Sequence, residues 1–295
     1  MKLASFDRDG VAVVAIVRED HVLALDALDP RLPLTLEKVL EGGAEAMAAI
    51  AAASHLRVVG HRLSDVRLLP PLRRPGKFLG IGMNYHSHIE EMRGKGQTIP
   101  DPSNQLWFNK QISCIVGPYD TVHLPRLSEQ LDYEGELGVV IGRRCRHVTR
   151  ETAPSVVAGY LVVNDFSVRD WQRRSPTATL GKSFDTHGPI GPWLTTSDEV
   201  PNPEALHIRT LVDGQIVQDG STSEMVNGIA DIIAYLSSVM TLEPGDILAT
   251  GTPRGVGAGR VPPVWLRAGQ TVRVEVEGLG FLENRVIDEP QSSFT

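Results

Sequence analysis

Two glutamates lie within an otherwise apolar segment, and they limit the folds open to this chain more than any other feature. Residues 131–141 (Leu-Asp-Tyr-Glu-Gly-Glu-Leu-Gly-Val-Val-Ile) have the pattern of a β-strand, with apolar side chains alternating from Tyr133 to Ile141. Side chains alternate between the two faces of a strand, so Glu134 and Glu136 share a face, about 7 Å apart. At an effective dielectric of about 20, two bare carboxylates at that distance repel by roughly 2 kcal/mol, so water or a cation must offset the repulsion.

A third carboxylate follows the next apolar segment. Residues 156–163 have the composition of a strand, and they lead directly into Asn164 and Asp165. Three oxygen ligands on rigid strands suit a hard divalent ion, which predicts Mg²⁺, with Mn²⁺ or Ca²⁺ as alternatives. The competing interpretation is a solvated outer face of a sheet, where paired glutamates are common.

Composition excludes several classes of protein. The 295 residues are 41% hydrophobic and 22% charged, which is typical of a globular protein with a substantial core. A net charge of -7 without a dense run of Lys and Arg argues against binding of nucleic acid or of anionic membrane surfaces. No apolar run approaches the length that spans a bilayer.

Cysteine usage and the first residues predict a cytoplasmic enzyme. The two cysteines, Cys114 and Cys145, are too few for a disulfide scaffold. Asp7 and Asp9 interrupt any signal-peptide core. Cys114 lies in an apolar stretch and is interpreted as a buried strand residue; a nucleophilic role is the alternative, although no basic residue lies nearby in sequence to lower its pKa.

The patterns predict two domains, at residues 1–70 and 71–295. The first contains a hairpin signal at Asp9-Gly10 and an alanine-rich helix from Leu36 to Ala53, and it ends at Pro70-Pro71. It is interpreted as a small α/β unit.

The second part is rich in strands. Hairpins are predicted at Asp213-Gly214 and around Gly278–Gly280, and the clearest helix extends from Glu224 to Met240. This order of elements predicts an α+β protein that is mainly β, rather than a doubly wound parallel sheet.

A polar segment after residue 83 offers a general base. Asn84 is expected to cap a short helix, which would place His88 over Glu91 at i,i+3 spacing. A carboxylate beside an imidazole orients the ring and raises its basicity, as a base acting on water requires. His86 with Glu90 is an equally good pair by spacing, and solvated ion pairs on a surface helix are the alternative to both.

A second polar cluster lies just downstream of Asp165. It contains Arg169, Gln172 and Lys182, whose polar groups are close enough in sequence to meet a metal-bound substrate. A lysine there would neutralise a developing enolate. Structural salt bridges are the alternative for each of these residues.

Taken together, these motifs resemble the fumarylacetoacetate hydrolase family. The resemblance covers residues 75–290, and the first 70 residues resemble the small N-terminal domain that many members carry. The segments that carry it are Phe78 to His88, Tyr133 to Leu137, Asn164 to Gln172, Lys182 to Asp185 and Gly251 to Val256.

The resemblance implies a mixed β-sandwich roll, a homodimer and a role for each motif residue. The implied metal ligands are Glu134, Glu136 and Asp165. The implied catalytic residues are His88, Glu91 and Lys182, which selects His88 over His86. The implied substrate contacts are Arg169, Gln172, Gly251 and Thr252.

The resemblance also implies a reaction. The expected activity is metal-dependent hydrolysis of a carbon–carbon bond in a 2,4-diketo acid of acylpyruvate type, through an enolate that the metal and Lys182 stabilise. Many acylpyruvate-cleaving members have Phe-Leu-Lys-Pro where this chain has Phe108-Asn109-Lys110-Gln111. Because of this departure, decarboxylation of oxaloacetate, tautomerisation of a 2-keto acid and a hydratase or lyase reaction remain alternatives.

Overall fold

β-Strands make up most of the regular structure, as the alternating patterns predict. The computed structural model describes residues 1–56, 58–96, 98–99, 101 and 104–291. The first nine strands are β1 (Lys2–Arg8), β2 (Val11–Arg18), β3 (His21–Ala24), β4 (His61–Arg62), β5 (Leu68–Leu69), β6 (Phe78–Gly82), β7 (Leu106–Asn109), β8 (Ile115–Val116) and β9 (Val122–Leu124). The later strands are β10 (Leu131–Asp132), β11 (Gly135–Ile141), β12 (Val157–Asn164), β13 (Ser167–Val168), β14 (Gly188–Thr196), β15 (His207–Val212), β16 (Gln215–Ser221), β17 (Ile247–Ala249), β18 (Thr271–Val276) and β19 (Gly280–Asp288). The α-helices are α1 (Leu25–Leu28), α2 (Leu36–Glu41), α3 (Gly43–Ala53), α4 (His86–Gly94), α5 (Arg169–Gln172) and α6 (Ile229–Val239).

Within the described ranges the strands form three sheets. The largest has twelve strands in the order β4-β3-β2-β1-β14-β12-β11-β17-β6-β7, with β5 paired to β1 and β8 paired to β14. A five-stranded sheet has the order β16-β15-β18-β19-β9, and β10 pairs with β13 alone. The expectation of an α+β protein that is mainly β is confirmed.

The strand that carries Glu136 is buried on both faces. Leu137 and Val139 of β11 pack against the five-stranded sheet and α6. Val140 points to the other side, into a cluster that includes Leu36 of α2. Every residue of β11 is buried. A carboxylate on such a strand needs polar partners, because a buried charge without them is costly.

The N-terminal strands continue the large sheet across residue 70. β1 pairs with β14 in the register Lys2↔Thr195 and Leu3↔Leu194. Helices α2 and α3 contribute to the same apolar cluster as Leu161 of β12. The division into residues 1–70 and 71–295 stays a prediction. Strands from both ranges belong to the twelve-stranded sheet, and side chains from both contribute to the apolar cluster that contains Leu161.

The predicted hairpins form. Asp9 and Gly10, between β1 and β2, have φ angles of 54° and 83°. Asp213 and Gly214, between β15 and β16, have φ angles of 50° and 78°. Positive φ at both central residues is the type I′ geometry that matches the twist of paired strands. β18 and β19 also pair as the sequence predicts.

Three element boundaries differ from the sequence-based expectation. The expected strand over residues 131–141 is two strands, β10 and β11, because the Glu134 amide donates to the Asn164 side chain, 3.1 Å away, instead of to a neighbouring strand. The expected helix from Leu36 to Ala53 is divided into α2 and α3, where Gly43 has a φ of 57°.

The third difference concerns the helix expected over residues 224–240. Glu224 instead ends a short 3₁₀-helix in which it and Ser221 form a capping box. α6 begins only at Ile229, whose amide donates to Glu204 at 2.7 Å. In the part of the chain that the structure describes, no helix has both the length and the apolar character needed to cross a membrane.

Candidate metal centre and active site

Three acidic side chains that the sequence analysis selected meet at the edge between β11 and β12. These strands are antiparallel, with Gly135 opposite Asn164, so the residues on either side of this pair are neighbours. One carboxylate oxygen from each of Glu134, Glu136 and Asp165 lies within 4.8 Å of the others. All three residues are buried. This is an oxygen-only donor set of the kind that hard divalent cations require.

The electrostatics of the three carboxylates fit a bound cation. Burial, followed by the charges of Asp165 and Glu134, raises the pKa of Glu136 well above its usual range. Burial also acts to raise the pKa of Glu134, but Arg169 and Lys182 overcome it and hold that pKa below its usual range. A divalent cation would offset the repulsion that raises the pKa of Glu136.

Two buried lysines hold Asp165. Lys182 places Nζ 2.5 Å from Asp165 Oδ2 and 2.5 Å from Glu134 Oε2. Lys110 places Nζ 2.7 Å from Asp165 Oδ1 and donates to the backbone carbonyls of Lys182 and His187. Burial alone would lower the pKa of Lys182, but the charges of Asp165 and Glu134 raise it. Lys182 is therefore an ammonium ion at neutral pH.

Arg169 is bound to protein carboxylates on one side of the site. Its Nη2 lies 2.7 Å from Glu134 Oε1 and its Nε lies 2.8 Å from Asp132 Oδ2. Its Nη1 donates to Gln172 Oε1 at 3.0 Å, which orients the amide of Gln172. Both Arg169 and Gln172 line the main cavity. Their contact with substrate stays a prediction, and the structure gives Arg169 a second task in holding Glu134.

The structure separates the two histidine–glutamate pairs that spacing alone left open, and it buries the pair that the family resemblance implies. His88 is buried, and its Nδ1 lies 3.0 Å from Glu91 Oε2. His86 and Glu90 are exposed on the opposite side of α4. Glu91 Oε1 also accepts a hydrogen bond of 2.9 Å from the Gly255 amide, which fixes the carboxylate. Since Nδ1 contacts Glu91, Nε2 is the ring nitrogen of His88 that is available for proton transfer.

The expected capping role of Asn84 is wrong. Tyr85 precedes the first residue of α4, and no side chain caps the helix there. The Asn84 amide instead donates to the carbonyls of Thr250, at 2.9 Å, and Asn227, at 3.1 Å. Its Oδ1 accepts from the Asn227 amide at 2.9 Å. These bonds hold the start of α4 to the end of β17, and they occupy the groups that a cap would use.

Gly251 and Thr252 line the cavity and support the glutamates. The Gly251 amide donates to Glu136 Oε2 at 2.8 Å, and its φ of 91° is one that side chains rarely adopt. The Thr252 hydroxyl donates to the Gly135 carbonyl at 2.8 Å and accepts from Gln218. The hydroxyl proton of Thr252 is therefore already used, and any contact with substrate would need its oxygen or its methyl group.

These groups open into a cavity of about 1090 Å³. Its polar end is formed by Glu134, Glu136, Lys182, Arg169 and His88. The remaining wall is mixed, with Met83, Met92, Leu106, Trp107, Pro263 and Trp265 beside the polar residues Lys95, Gln105, Gln130, Arg173, Ser175 and Thr177. The cavity thus joins a charged end, suited to an anion on a metal, to a wall of mixed polarity.

Sequence reasoning missed two residues of the site. Asp132 is fully buried and accepts hydrogen bonds from Arg169 and from the amides of Gly257 and Ala258. Its position two residues before Glu134, at strand spacing, was a signal that it shares a face with the glutamates. Lys110 was noted only as part of Phe108–Gln111, the segment that differs from the Phe-Leu-Lys-Pro motif. Nothing in the neighbouring sequence indicated that it contacts Asp165.

Cys114 does not have the properties of a nucleophile. The thiol is fully buried, and burial raises its pKa to about 11. A thiol with that pKa is almost entirely protonated at neutral pH, whereas the thiolate is the reactive form. Cys114 is buried as expected, but it ends a short 3₁₀-helix (Ile112–Cys114) directly before β8 and does not lie in a strand.

Comparison with known proteins identifies the family. Residues 77–287 match the model for the C-terminal domain of fumarylacetoacetate hydrolase. The mitochondrial oxaloacetate tautomerase FAHD2A of Homo sapiens is 43% identical over 270 residues, which are 90% of this chain and 84% of that protein. A fumarylacetoacetate hydrolase from Exiguobacterium antarcticum superposes with a TM-score of 0.82 at 36% identity, covering 98% of this chain and 100% of the other.

A maleylpyruvate hydrolase from Sphingobium sp. SYK-6, solved with a manganese(II) ion and pyruvate, superposes with a TM-score of 0.81 at 31% identity. The superposition covers 98% of this chain and 100% of the other. The order of motifs, the fold and the acidic site agree with these matches. This chain belongs to the fumarylacetoacetate hydrolase family of enzymes.

Proposed function

We propose that this chain is a divalent-metal-dependent hydrolase that cleaves a carbon–carbon bond in a 2,4-diketo acid of acylpyruvate type. The observation that carries the proposal is that His88, held by Glu91, lines the same cavity as Glu134 and Glu136, which form a buried acidic group with Asp165. A base and an oxygen-only metal site are the two parts that metal-assisted hydrolysis needs.

Glu134, Glu136 and Asp165 would hold the metal. Mg²⁺ or Mn²⁺ is proposed, and the manganese complex of the maleylpyruvate hydrolase supports Mn²⁺. When bound, the ion supplies positive charge that binds the keto-acid end of the substrate and polarises its carbonyl. The buried group contains the carboxylates of Asp132, Glu134, Glu136 and Asp165 against the cations of Lys110, Arg169 and Lys182. Adding a divalent ion makes this group net positive, which suits an anionic substrate.

The protein residues then have distinct tasks. His88 would take a proton from water as the water attacks the distal carbonyl carbon of the substrate. Glu91 holds the ring through Nδ1 and stabilises the imidazolium that results. As the carbon–carbon bond breaks, its electron pair leaves with the pyruvate fragment as an enolate. The Lys182 ammonium lies among the site carboxylates, where it would stabilise that negative charge.

Tautomerisation of oxaloacetate is a second candidate, favoured by the 43% identity to the human oxaloacetate tautomerase. It would use the same residues. His88 would remove a proton from the carbon next to the keto group and return a proton to the enolate oxygen. No water is consumed, and no carbon–carbon bond breaks.

Replacement of His88 by Ala tests the base that both candidates require, whereas cleavage of an acylpyruvate by the unmodified protein separates hydrolysis from tautomerisation. We expect the protein with Mn²⁺ to hydrolyse acetylpyruvate, and the His88→Ala variant to do so about 10² to 10⁴ times more slowly, as for a lost general base. Decarboxylation of oxaloacetate, if present, should fall much less, because it needs no activated water. Release of pyruvate measures hydrolysis of acetylpyruvate and decarboxylation of oxaloacetate, each assayed with its own substrate. Loss of the enol absorbance follows consumption of the substrate. Glu90→Gln, on the exposed face of α4, is the control.

Three outcomes would count against the hydrolase proposal. Turnover that survives a chelator would exclude a metal-dependent reaction. Rapid tautomerisation of oxaloacetate without cleavage of any acylpyruvate would favour the second candidate. Equal collapse of hydrolysis and decarboxylation in His88→Ala, with the metal still bound, would assign His88 to positioning instead of to activation of water.

The homodimer and the cytoplasmic location also stay predictions, and the human relative is named as mitochondrial.

A further inference from the structure

Gln218 connects the second sheet to the metal site through one buried amide. It lies on β16 and is 1% exposed. Its Oε1 accepts from the Gly135 amide at 3.0 Å and from the Thr210 hydroxyl at 2.7 Å. Its Nε2 donates to the Thr252 hydroxyl at 2.8 Å and to the Pro253 carbonyl at 2.9 Å. A backbone N–H only donates and a carbonyl only accepts, so these partners fix which end of the amide is the oxygen.

Gly135, between the two glutamates of the site, depends on these bonds. On one side of it lies β12, with Asn164 directly opposite. On the other side, β17 pairs with residues 138–140 of β11 and ends before it reaches Gly135. The Gly135 amide donates instead to Gln218, and its carbonyl accepts from the Thr252 hydroxyl at 2.8 Å. Two side chains thus supply the hydrogen bonds that a neighbouring strand would otherwise supply.

Gln218 also decides where the Thr252 hydroxyl proton goes. Because Thr252 Oγ1 accepts from Gln218 Nε2, its own hydrogen is left to donate to the Gly135 carbonyl. Gly135 and Thr252 are both buried, so water does not readily replace a lost partner at either of them. Loss of the Gln218 amide would therefore disturb both the N–H and the C=O of Gly135.

The strand that carries Gln218 lies in close contact with the segment that follows β17. A Cβ on Gly220 would lie 2.6 Å from Pro253 Cβ. A Cβ on Gly255 would lie 2.1 Å from the Val217 carbonyl oxygen. Both distances are shorter than real Cβ contacts, so glycine at these two positions permits the approach. The amide of Gln218 is thus fixed by its strand as well as by its hydrogen bonds.

The position of Gly135 matters because of the charges beside it. Oxygen atoms of Glu134, Glu136 and Asp165 lie within 4.8 Å of one another, where like charges repel. A divalent cation requires the same oxygens to stay together. Gly135 has no side chain that could hold this part of the strand by packing. Its backbone hydrogen bonds are therefore what resists separation of the two glutamates.

We propose that Gln218 is a positioning residue of the metal site, which acts through Gly135 and Thr252 to hold the two glutamates at the separation that a divalent cation needs. Gln218 is not among the described residues that line the main cavity, so it would act through the backbone and not by contact with the ion. Because this inference rests on the metal site of the proposed function and not on the reaction, metal binding is the property to measure.

Gln218 also has a competing structural explanation, since it joins β16 to β11. A residue that only joins two strands would lower stability without a selective effect on the metal. Asn284 offers a matched comparison, because it is a fully buried amide on β19 of the same sheet. Its Nδ2 donates to the carbonyls of Gly117, Pro118 and Asp120. None of these four residues is among the described residues that line the main cavity.

Binding of Mn²⁺ to the full chain provides the test, followed by the electron paramagnetic resonance signal of the free ion. We expect Gln218→Met to weaken Mn²⁺ binding about tenfold, the lower end of the effect of residues that orient metal ligands. Asn284→Met is the matched control and should change the dissociation constant less than about twofold. Thermal unfolding of both variants without metal shows how much stability each has lost.

Thr252→Val is a second variant, which keeps the shape of the side chain and leaves Gln218 in place. The Gly135 carbonyl then loses its donor, so Mn²⁺ should bind about threefold more weakly, as for one neutral hydrogen bond. If Gln218 acts partly through this hydroxyl, the double variant should lose about tenfold, instead of the roughly thirtyfold of independent effects. Should Gln218→Met fail to fold, Thr252→Val decides alone, and unchanged Mn²⁺ binding in it would overturn the proposal.

Each contrary result is distinct. Unchanged Mn²⁺ affinity in a folded Gln218→Met variant would overturn the proposal. Equal weakening in Asn284→Met would overturn it as well, because the effect would then follow from a general loss of stability. Additive losses in the double variant would overturn the connection through Thr252. The proposed hydrolysis fails separately, if the protein binds Mn²⁺ in the expected Gln218-dependent manner but cleaves no acylpyruvate.

Discussion

Glu136 is the carboxylate of the site with the weakest support from positive charge. Asp165 has a lysine at each oxygen, and Glu134 has Arg169 and Lys182. The hydrogen bond that Glu136 accepts from the Gly251 amide involves no positive charge. Burial and two negative neighbours raise the pKa of Glu136. In the metal-free protein, the negative charge of the site is therefore least favourable at this residue.

Replacement of Glu136 by Gln should therefore separate metal binding from stability. The amide has the shape of the protonated acid, so we expect the melting temperature of the metal-free protein to be unchanged or higher. In the unmodified protein, Mn²⁺ at 100 times its dissociation constant should raise the free energy of unfolding by about 2.7 kcal/mol. In the Glu136→Gln variant we expect this stabilisation to disappear. Thermal unfolding with and without Mn²⁺ measures both effects. Glu90→Gln is the control, and an undiminished shift with Mn²⁺ in Glu136→Gln would remove Glu136 from the metal site.

At the scale of elements, the segment 254–260 decides where α4 lies. Glu91 accepts from the Gly255 amide, and Lys95 donates to the carbonyls of Ala258 and Arg260. The same segment donates two amides to Asp132, which also binds Arg169. The base and the metal site are thus connected through one short segment of backbone.

Replacement of Gly259 by Ala should disturb the base without touching the metal ligands. A Cβ there would lie 2.3 Å from Glu91 Oε1, so the carboxylate that holds His88 must leave its present position. We expect turnover to fall about 10- to 100-fold, toward the loss seen for a disabled general base, while the stabilisation by Mn²⁺ is unchanged. Gly94→Ala is the control, since no atom lies within 4 Å of its added Cβ. Full activity in Gly259→Ala would show that the position of Glu91 is not needed.

For the molecule as a whole, one buried histidine links stability to pH. His187 is buried, and its Nε2 lies 2.8 Å from the His123 carbonyl oxygen. Burial lowers the pKa of His187 to about 3, whereas the unfolded chain has a value of about 6.5. Between these values the unfolded state binds a proton that the folded state does not. The stability contributed by neutral His187 is therefore lost as the pH falls, by up to about 1.4 kcal/mol per pH unit.

A His187→Gln variant should have a flatter profile. Glutamine keeps a donor for the His123 carbonyl but does not titrate. We expect the melting temperature of the unmodified protein to fall more steeply between pH 7 and pH 5 than that of the variant, whatever their difference at pH 7. Calorimetric scans at several pH values measure the two slopes. Parallel profiles would show that His187 does not carry this proton.

Local patterns were sufficient for much of the fold and for the three acidic residues of the candidate site, whereas the roles of the other site residues came from the family resemblance. The hairpins at Asp9-Gly10 and Asp213-Gly214 follow from residues that tolerate positive φ, and the apolar alternation of β11 follows from its period of two. The acidic residues at positions 134, 136 and 165 stand out because charge is unusual in apolar strands. Such features depend on neighbours in the chain, and therefore the sequence by itself determines them.

Only the tertiary structure decided which groups meet. The choice of His88 over His86 depends on which face of α4 is buried, and Lys110 contacts Asp165 across 55 residues of chain. Asp132 and Gly257 are 125 residues apart, and Gly251 and Glu136 are 115 apart. Such contacts are set by sheet order and by the packing of both faces of β11. No local pattern encodes them, because buried polar groups take whichever partner the packed chain brings within hydrogen-bond distance.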